Sequence, residues 1–130
     1  MNNPDSNGLI LLIDDEPVVL DLGRLMLEKL GYKVLVATNG MEASQIFIEK
    51  KDSICLVILD MKLPDEIGSE TCKRLKEIKK DVKVLHTSGL GITQNGDRLE
   101  CGCDRLIMKP FRINELSNKL IEALENINTV

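Results

Sequence analysis

The stretch ILLIDDEPVV, residues 10–19, places two adjacent acidic residues, Asp14 and Asp15, after a run of branched aliphatic residues and just ahead of Pro17. Burying one carboxylate costs free energy, and burying two side by side costs more because like charges repel. A chain that ends its most hydrophobic segment in this way therefore needs something that offsets the charge. One simple alternative is that the two aspartates cap a helix that begins at Pro17.

Five short aliphatic runs are predicted to form β-strands. They are LILLID (9–14), KVLVA (33–37), ICLVILD (54–60), VKVLHT (82–87) and RLIM (105–108). Runs that are apolar on both faces are typical of strands in a sheet that is covered on both sides. Segments with helical periodicity separate these runs, so strands and helices alternate along the chain.

Clear helices are predicted at 17–30, 40–50, 69–79 and 112–126, and a weak one within 92–101, where glycines lower the helix propensity. The predicted core-facing residues of the first helix are Val18, Leu22, Leu25, Met26 and Leu30. Those of the second helix are Ala43, Ile46 and Phe47. Those of the last helix are Ile113, Leu116, Leu120, Ile121 and Leu124. Repeated alternation of strand and helix predicts an α/β fold with a parallel sheet, right-handed crossovers and helices on both faces.

The size and composition of the chain indicate one globular domain. It has 130 residues, of which 43% are hydrophobic and 29% are charged, and this is enough for a single core. Residues 1–8 are polar and are interpreted as a flexible lead-in or linker, 9–126 as the domain and 127–130 as a tail.

The charge balance argues against direct binding of nucleic acids. The net charge is -4, and aromatic residues make up only 2% of the chain, so neither a basic surface for phosphates nor a platform for base stacking is expected. The apolar runs are far shorter than a membrane span, and no signal-peptide pattern is present. We therefore expect no membrane insertion and a cytoplasmic protein.

Five polar residues follow the ends of four predicted strands. They are Asp14 and Asp15 at the end of the first strand, Asp60 at the end of the third, Thr87 at the end of the fourth and Lys109 after the fifth. The carboxyl ends of parallel strands share one edge of the sheet, where chemistry gathers. Three carboxylates at one edge repel each other unless a hard cation neutralises them, and oxygen ligands favour Mg²⁺ over zinc. The adjacent aspartates are therefore interpreted as part of a cation site.

Four segments together resemble the receiver domain of two-component response regulators, over about residues 9–126. They are IDDE after the first strand, LVILDMKLPDEIG around Asp60, HTSG at Thr87 and GCDRLIMKPF around Lys109. Each segment alone is a weak motif, but their order and their positions at strand ends make the set specific. The resemblance implies a flavodoxin-like (βα)5 three-layer sandwich with strand order 2-1-3-4-5. HTSGL and GCDRLIMKPF are most similar to receivers attached to hybrid sensor histidine kinases.

The resemblance also implies the chemistry of the edge. Asp60 is the expected phosphoacceptor, a carboxylate nucleophile that attacks a phosphohistidine. The donor is expected to be a sensor histidine kinase or a histidine phosphotransfer domain, in cis or in trans. Lys109 is expected to place a positive charge on one phosphoryl oxygen, and the Thr87 hydroxyl to donate a hydrogen bond to another.

The resemblance further implies a magnesium site made of four residues. Asp15 and Asp60 are expected to bind Mg²⁺ directly, whereas Asp14 acts largely through water. The backbone carbonyl of Lys62 completes the protein ligands. Phosphoryl transfer needs mostly positioning and charge neutralisation, and this set of groups supplies both.

Simpler interpretations stay open for single residues. Asp60 is alternatively a turn residue, Thr87 a plain β-former and Lys109 a solvated charge. His86 is interpreted as structural, because it lies in a predicted strand, whereas a phosphodonor histidine needs exposure. The four cysteines are interpreted as reduced thiols and not as a metal site or disulfides; they are Cys55, Cys72, Cys101 and Cys103.

The sequence departs from the receiver pattern at the expected switch. Leu106 stands where many receivers have an aromatic residue that turns inward, so activation is expected to order residues 88–101 instead of turning a ring. The bond between Lys109 and Pro110 is cis in the family, although such bonds are trans by default.

Two other functions fit the sequence less well than a receiver does. A Mg²⁺-dependent phosphohydrolase with an aspartyl nucleophile usually has an acid-base aspartate beside the nucleophile, whereas Met61 and Lys62 follow Asp60 here. A dinucleotide-binding module needs a glycine-rich turn after the first strand, where this chain has DDEPVV. The preferred interpretation is a non-enzymatic signalling switch that catalyses only its own phosphorylation and dephosphorylation.

Overall fold

The computed structural model describes residues 8–88, 106–109 and 112–125. Within these residues, five strands and four helices follow one another along the chain. The strands are β1 (Leu9–Ile13), β2 (Lys33–Ala37), β3 (Ile54–Asp60), β4 (Val84–Ser88) and β5 (Leu106–Met108). The helices are α1 (Pro17–Lys29), α2 (Gly40–Lys50), α3 (Gly68–Ile78) and α4 (Ile113–Glu125). These bounds agree closely with the predicted strands and with the four clear predicted helices.

The five strands form one parallel sheet in the order β2-β1-β3-β4-β5. The chain therefore goes outward from β1 to β2 and then crosses back past β1 to β3, which leaves β1 and β3 side by side near the middle. The α/β fold, the parallel sheet and the strand order are confirmed. The carboxyl ends of β1 and β3 are consequently neighbours.

The sheet is covered on both faces because successive side chains of β1 point to opposite sides. Leu11 and Ile13 lie in the core layer beneath α2 and α3, together with Phe47 and Leu75. Ile10 and Leu12 lie in the other core layer, beneath α1 and α4. The polar edge thus stands on a sheet whose central strands are mostly buried.

The predicted inward face of α1 is wrong at three of its five residues, whereas Met26 and Leu30 pack against the core as predicted. Val18, Leu22 and Leu25 are 67%, 51% and 61% exposed, and the helix instead buries Leu20 and Leu27 together with Gly23. Periodicity did not separate the two faces because both carry large aliphatic residues. Gly23 decides between them: a Cβ there would lie 2.9 Å from a methyl group of Leu12, so its missing side chain lets the helix backbone approach the sheet.

The inward faces of the other helices are mostly as predicted. In α4, Leu116 and Leu120 are buried, but Ile113 and Ile121 are 38% and 49% exposed. In α2, Ala43 and Phe47 are buried and Ile46 packs against them. The apolar stripe of α4 is therefore narrower than the sequence pattern suggested.

Several predicted features lie outside the described residues. They are the weak helix within 92–101, nearly all of the switch segment 88–101, Cys101 and Cys103, the side chain of Leu106, the Lys109–Pro110 bond, and the lead-in and tail apart from Gly8. Neither Cys55 nor Cys72 forms a disulfide bond among the described residues. None of the described helices is long and apolar enough to cross a membrane.

Candidate functional site

Three neighbouring strands deliver the polar residues to one edge of the sheet. Asp14 directly follows β1, and its backbone N–H donates to the carbonyl of Ala37 at the end of β2. Asp60 is the last residue of β3 and lies opposite Thr87 of β4. The parallel sheet therefore places side chains from distant parts of the sequence next to each other, as the strand-end pattern indicated.

Lys109 reaches the same edge from β5. Its backbone N–H donates to the carbonyl of Ser88 at 2.7 Å, so the chain continues the ladder for one residue past the strand. Its Nζ atom lies 2.8 Å from Oδ2 of Asp14 and 3.3 Å from Oδ2 of Asp60. The ammonium group thus bridges two carboxylates and offsets part of their mutual repulsion.

The acidic cluster consists of Asp14, Asp15 and Asp60. One carboxylate oxygen from each lies within 4.8 Å of the others. Asp14 and Asp60 are 1% and 5% exposed, whereas Asp15 is exposed to solvent. Two carboxylates therefore form the floor of the site and the third lies at its open side.

Burial and charge shift the pKa values at this edge. Desolvation raises the pKa of the Asp60 carboxyl, and the neighbouring charge of Asp14 raises it further, although the Lys62 N–H and the Lys109 ammonium oppose the shift. Burial disfavours the charge on Lys109, but the hydrogen bonds and negative charges of Asp14 and Asp60 outweigh it and raise the Lys109 pKa. A further cation would favour the ionised form of Asp60.

Asp14 uses its two oxygens for different purposes. Oδ1 accepts the backbone N–H of Glu16 at 3.0 Å, and Oδ2 pairs with Lys109. The residue that caps α1 is Glu16, whose side chain makes no capping hydrogen bond. The alternative that the adjacent aspartates are the cap of α1 is therefore wrong, although Asp14 does stabilise the turn that leads into the helix.

The loop between β3 and α3 begins at the Asp60 carboxylate. Oδ1 of Asp60 accepts the backbone N–H of Lys62 at 3.2 Å, and Lys62 pairs with Ile67 across the loop. The N–H of Gly68 donates to the carbonyl of Met61 at 2.8 Å. A Cβ at Gly68 would lie 2.5 Å from the backbone oxygen of Asp60, so glycine is required where α3 starts this close to the site.

The remaining residues that the sequence singled out are located as follows. Thr87 is 2% exposed and lies at the site edge of β4. His86 is fully buried in the same strand, in agreement with a structural role. Glu16 was missed: its Oε1 lies 3.7 Å from Nζ of Lys109, and its position directly after the two aspartates was the available signal.

The geometry fits a small hard cation. Ligands of one Mg²⁺ ion lie about 2.1 Å from it, so two of them are at most about 4.2 Å apart. The oxygens of the three aspartates lie within 4.8 Å of each other, so a small contraction suffices. All three donors are carboxylate oxygens, which Mg²⁺ prefers over softer ligands.

Comparisons with known proteins agree with this arrangement. The sequence profile described as "Response regulator receiver domain" matches residues 10–121. The phosphate regulon transcriptional regulatory protein PhoB of Pseudomonas aeruginosa is 34% identical over 118 residues, which are 88% of this chain and 51% of PhoB. The chain thus spans about half the length of this curated relative.

Two solved structures share the fold. A response regulator receiver domain protein from Clostridium thermocellum superposes with a TM-score of 0.84 at 31% identity and covers 93% of this chain and 97% of its own. The receiver domain of a sensor histidine kinase from Pseudomonas aeruginosa, solved with magnesium in its active site cleft, has a TM-score of 0.78 at 24% identity, with coverages of 92% and 98%. Profile, sequence and fold agree, and the chain belongs to the response regulator receiver domain family.

Proposed function

We propose that this domain is a phosphorelay receiver whose Asp60 accepts a phosphoryl group from a phosphohistidine. The observation that carries the proposal is the position of Asp60, a nearly buried carboxylate between a second acidic side chain and the Lys109 ammonium. An ordinary turn aspartate would not be held in this way. The reaction class is phosphoryl transfer to a carboxylate.

In the proposed reaction, a carboxylate oxygen of Asp60 forms a bond to phosphorus while the bond from phosphorus to the donor's imidazole nitrogen breaks. The imidazole nitrogen keeps the electron pair of that bond. Lys109 already lies 3.3 Å from Asp60 and would bind a phosphoryl oxygen on the product. Thr87, at the end of the adjacent strand, would donate its hydroxyl to another oxygen and so report phosphorylation to the segment that follows β4.

Mg²⁺ is the proposed cofactor. Asp15 and Asp60 would bind it directly, Asp14 largely through water, and the backbone carbonyl of Lys62 would complete the protein ligands. When bound, it would neutralise charge at the phosphoryl oxygens and at the acidic cluster. The magnesium found in the related receiver of the Pseudomonas kinase supports the proposal, as does the oxygen-only donor set of this chain.

The proposed partner is a sensor histidine kinase or a histidine phosphotransfer domain, in cis or in trans. A donor that delivers a histidine to Asp60 must approach the edge where α1 begins. There α1 presents Val18, Leu22 and Leu25 to solvent, and all three lie on one stripe of the helix opposite its buried face. This apolar stripe suits a helical donor surface, so we include it in the proposed docking site.

The proposed role is that of a switch in the cytoplasm, catalysing only its own phosphorylation and dephosphorylation. A phosphohydrolase with the same nucleophile would instead release phosphate repeatedly from generic esters. No acidic residue stands directly beside Asp60 in the sequence to protonate a leaving group, since the next two residues are Met61 and Lys62. Repeated turnover of p-nitrophenyl phosphate would therefore contradict the switch and favour the enzyme.

Incubation with acetyl phosphate and Mg²⁺ tests the proposal. We expect intact-mass measurement to show one added phosphoryl group, lost on hydroxylamine treatment as an acyl phosphate is. The Asp60→Asn variant and a sample without Mg²⁺ should stay unmodified. Equal modification of Asp60→Asn would show that the acceptor lies elsewhere.

A further inference from the structure

The loop between β3 and α3, residues 61–67, is anchored to elements that make no contribution to the acidic cluster. Two consecutive side chains of this loop, Asp65 and Glu66, hold it against α2 and α3. Both are acidic, and neither is one of the three carboxylates that gather at the sheet edge. Both side chains therefore serve to hold the conformation of the loop.

Asp65 holds the loop to the start of α2. Its Oδ1 accepts the backbone N–H of Gly40 at 2.9 Å, and its Oδ2 accepts the N–H of Met41 at 3.0 Å. These N–H groups belong to the first turn of the helix, where no intrahelical acceptor is available. The two hydrogen bonds join the loop to residues that lie 25 and 24 positions away in sequence.

Glu66 holds the same loop to α3. Each of its two oxygens accepts a hydrogen bond from one terminal nitrogen of Arg74, both at 2.7 Å, in a bidentate ion pair. The Thr71 hydroxyl also donates to Oε2 of Glu66. The Glu66 side chain is only 13% exposed, so this pair is better shielded from solvent than a surface ion pair.

The backbone of α2 is shaped to receive the Glu66 carboxylate. A Cβ on Gly40 would overlap Oε2 of Glu66 and would lie 2.6 Å from its Cδ. Arg74 also donates to the hydroxyl of Ser44, which in turn donates to the carbonyl of Gly40. The Glu66 carboxylate is therefore enclosed between α2 and α3. Arg74 and Thr71 of α3 bind its oxygens, and Gly40 of α2 lies against it.

The other end of the loop lies at the metal edge, which is the edge of the sheet that carries the acidic cluster. Within the loop, the N–H of Leu63 donates to the carbonyl of Glu66 at 3.1 Å, and Lys62 pairs with Ile67. The N–H of Lys62 then donates to Oδ1 of Asp60. Contacts within the loop thus link the Glu66 backbone to Lys62, whose N–H contacts the Asp60 carboxylate.

We propose that Glu66, clamped by Arg74, is a positioning residue that sets the Lys62 backbone at the metal edge. This inference rests on the proposed function, because Lys62 matters only if its carbonyl binds Mg²⁺. Glu66 touches neither metal nor phosphoryl group; it acts by holding the loop in the conformation in which the Lys62 peptide faces the site. Residues that orient metal ligands in this indirect way typically change metal affinity about 10- to 100-fold when removed.

The test measures Mg²⁺ affinity by calorimetry and the Lys62 amide resonance by NMR, at a temperature where every variant is folded. Glu66→Ala should weaken Mg²⁺ binding about 10-fold and shift the Lys62 amide. Glu66→Gln, which keeps the shape of the side chain and one acceptor oxygen, should recover part of the Mg²⁺ affinity and part of the wild-type Lys62 amide position. Glu28→Ala removes a carboxylate from an exposed ion pair with Arg24 on α1 and serves as the control that changes neither.

Gly40→Ala provides an independent variant, because alanine favours a helix and harms this site only by displacing the Glu66 carboxylate. Alone it should weaken Mg²⁺ binding, but in the Glu66→Ala background it should add no further loss. Additive losses would overturn the inference. So would a Glu66→Ala variant that loses thermal stability but keeps wild-type Mg²⁺ affinity and an unshifted Lys62 amide.

The two proposals fail in different ways. If the wild-type protein bound no Mg²⁺ and accepted no phosphoryl group, the proposed function would be wrong. If the wild type bound Mg²⁺ and was phosphorylated, but Glu66→Ala did both equally well, only the positioning role would be wrong. The acetyl phosphate reaction, measured in the same variants at saturating Mg²⁺, separates weaker metal binding from slower chemistry.

Discussion

The Nζ atom of Lys109 lies 2.8 Å from Oδ2 of Asp14, although the two residues are 95 positions apart in sequence. Their side chains are 14% and 2% exposed, so this is an ion pair with little access to water. The same ammonium group reaches Asp60 at 3.3 Å. One cation therefore serves two of the three carboxylates, and it links the first strand of the domain to the last.

Replacement of Lys109 by alanine should destabilise the metal-free protein. The change leaves Asp14 buried without its partner, and breaking a buried ion pair from one side costs about 3 kcal/mol. Chemical denaturation in the presence of EDTA measures this loss. Lys119→Ala removes a cation from an exposed pair with Glu122 at 3.8 Å and should cost less than about 1 kcal/mol. Equal effects of the two variants would contradict the described role of Lys109.

Replacement of Asp15 by asparagine should remove most Mg²⁺ binding and leave the fold intact. Asp15 is the exposed member of the acidic cluster, so its side chain supports no buried contact, and its loss reduces repulsion among the carboxylates. Added Mg²⁺ should raise the midpoint of thermal unfolding of the wild type, because a ligand that binds only the folded state stabilises it. The same addition should leave the midpoint of Asp15→Asn nearly unchanged. A wild-type response in that variant would show that Asp15 is not a ligand.

The ion pair between Glu66 and Arg74 should make stability depend on pH in the acid range. The hydrogen bond from Arg74 lowers the pKa of the Glu66 carboxyl below its ordinary value of 4.5, although burial opposes this. A lowered pKa in the folded state means that the stabilisation is present above about pH 4.5 and is lost as the pH falls through the folded-state pKa.

Glu66→Gln isolates this contribution. At neutral pH the variant should be less stable than the wild type by about 1 kcal/mol, a modest figure because Arg74 is partly exposed. The difference should shrink steadily as the pH is lowered below about 4.5. Urea unfolding of both proteins across this range provides the measurement. A difference that stays constant with pH would mean that the carboxylate charge contributes nothing.

The exposed stripe of α1 should affect the rate of phosphotransfer from a protein donor and not the rate from a small-molecule donor. Leu22→Ser is expected to slow phosphotransfer from a histidine phosphotransfer domain, because it removes apolar surface from the proposed docking site. Phosphorylation by acetyl phosphate should be unchanged. Ile48→Ser makes a matched change at a 57% exposed position of α2 and should leave both reactions intact. Equal phosphotransfer by wild type and Leu22→Ser would exclude the stripe from the docking site.

Much of the fold was determined by local sequence patterns. Each aliphatic run is bounded by polar or turn residues, and each helix carries its own periodicity, so the alternation was readable without knowledge of distant contacts. The grouping of Asp14, Asp60 and Lys109 also followed, because parallel strands bring their carboxyl ends to one edge. The structure confirms these features at the described strands and helices.

The sequence did not determine which face of α1 is buried or which charged residues form pairs away from the acidic cluster. Val18 and Leu27 are equally apolar, and the helix turns Leu27 inward because Gly23 lets its backbone approach Leu12. Glu66 and Arg74 are eight residues apart, a spacing with no fixed geometry across a loop and a helix. Such contacts depend on how whole elements pack against each other. Only the tertiary structure decided them, because local patterns specify how a segment folds but not the side chains that it meets.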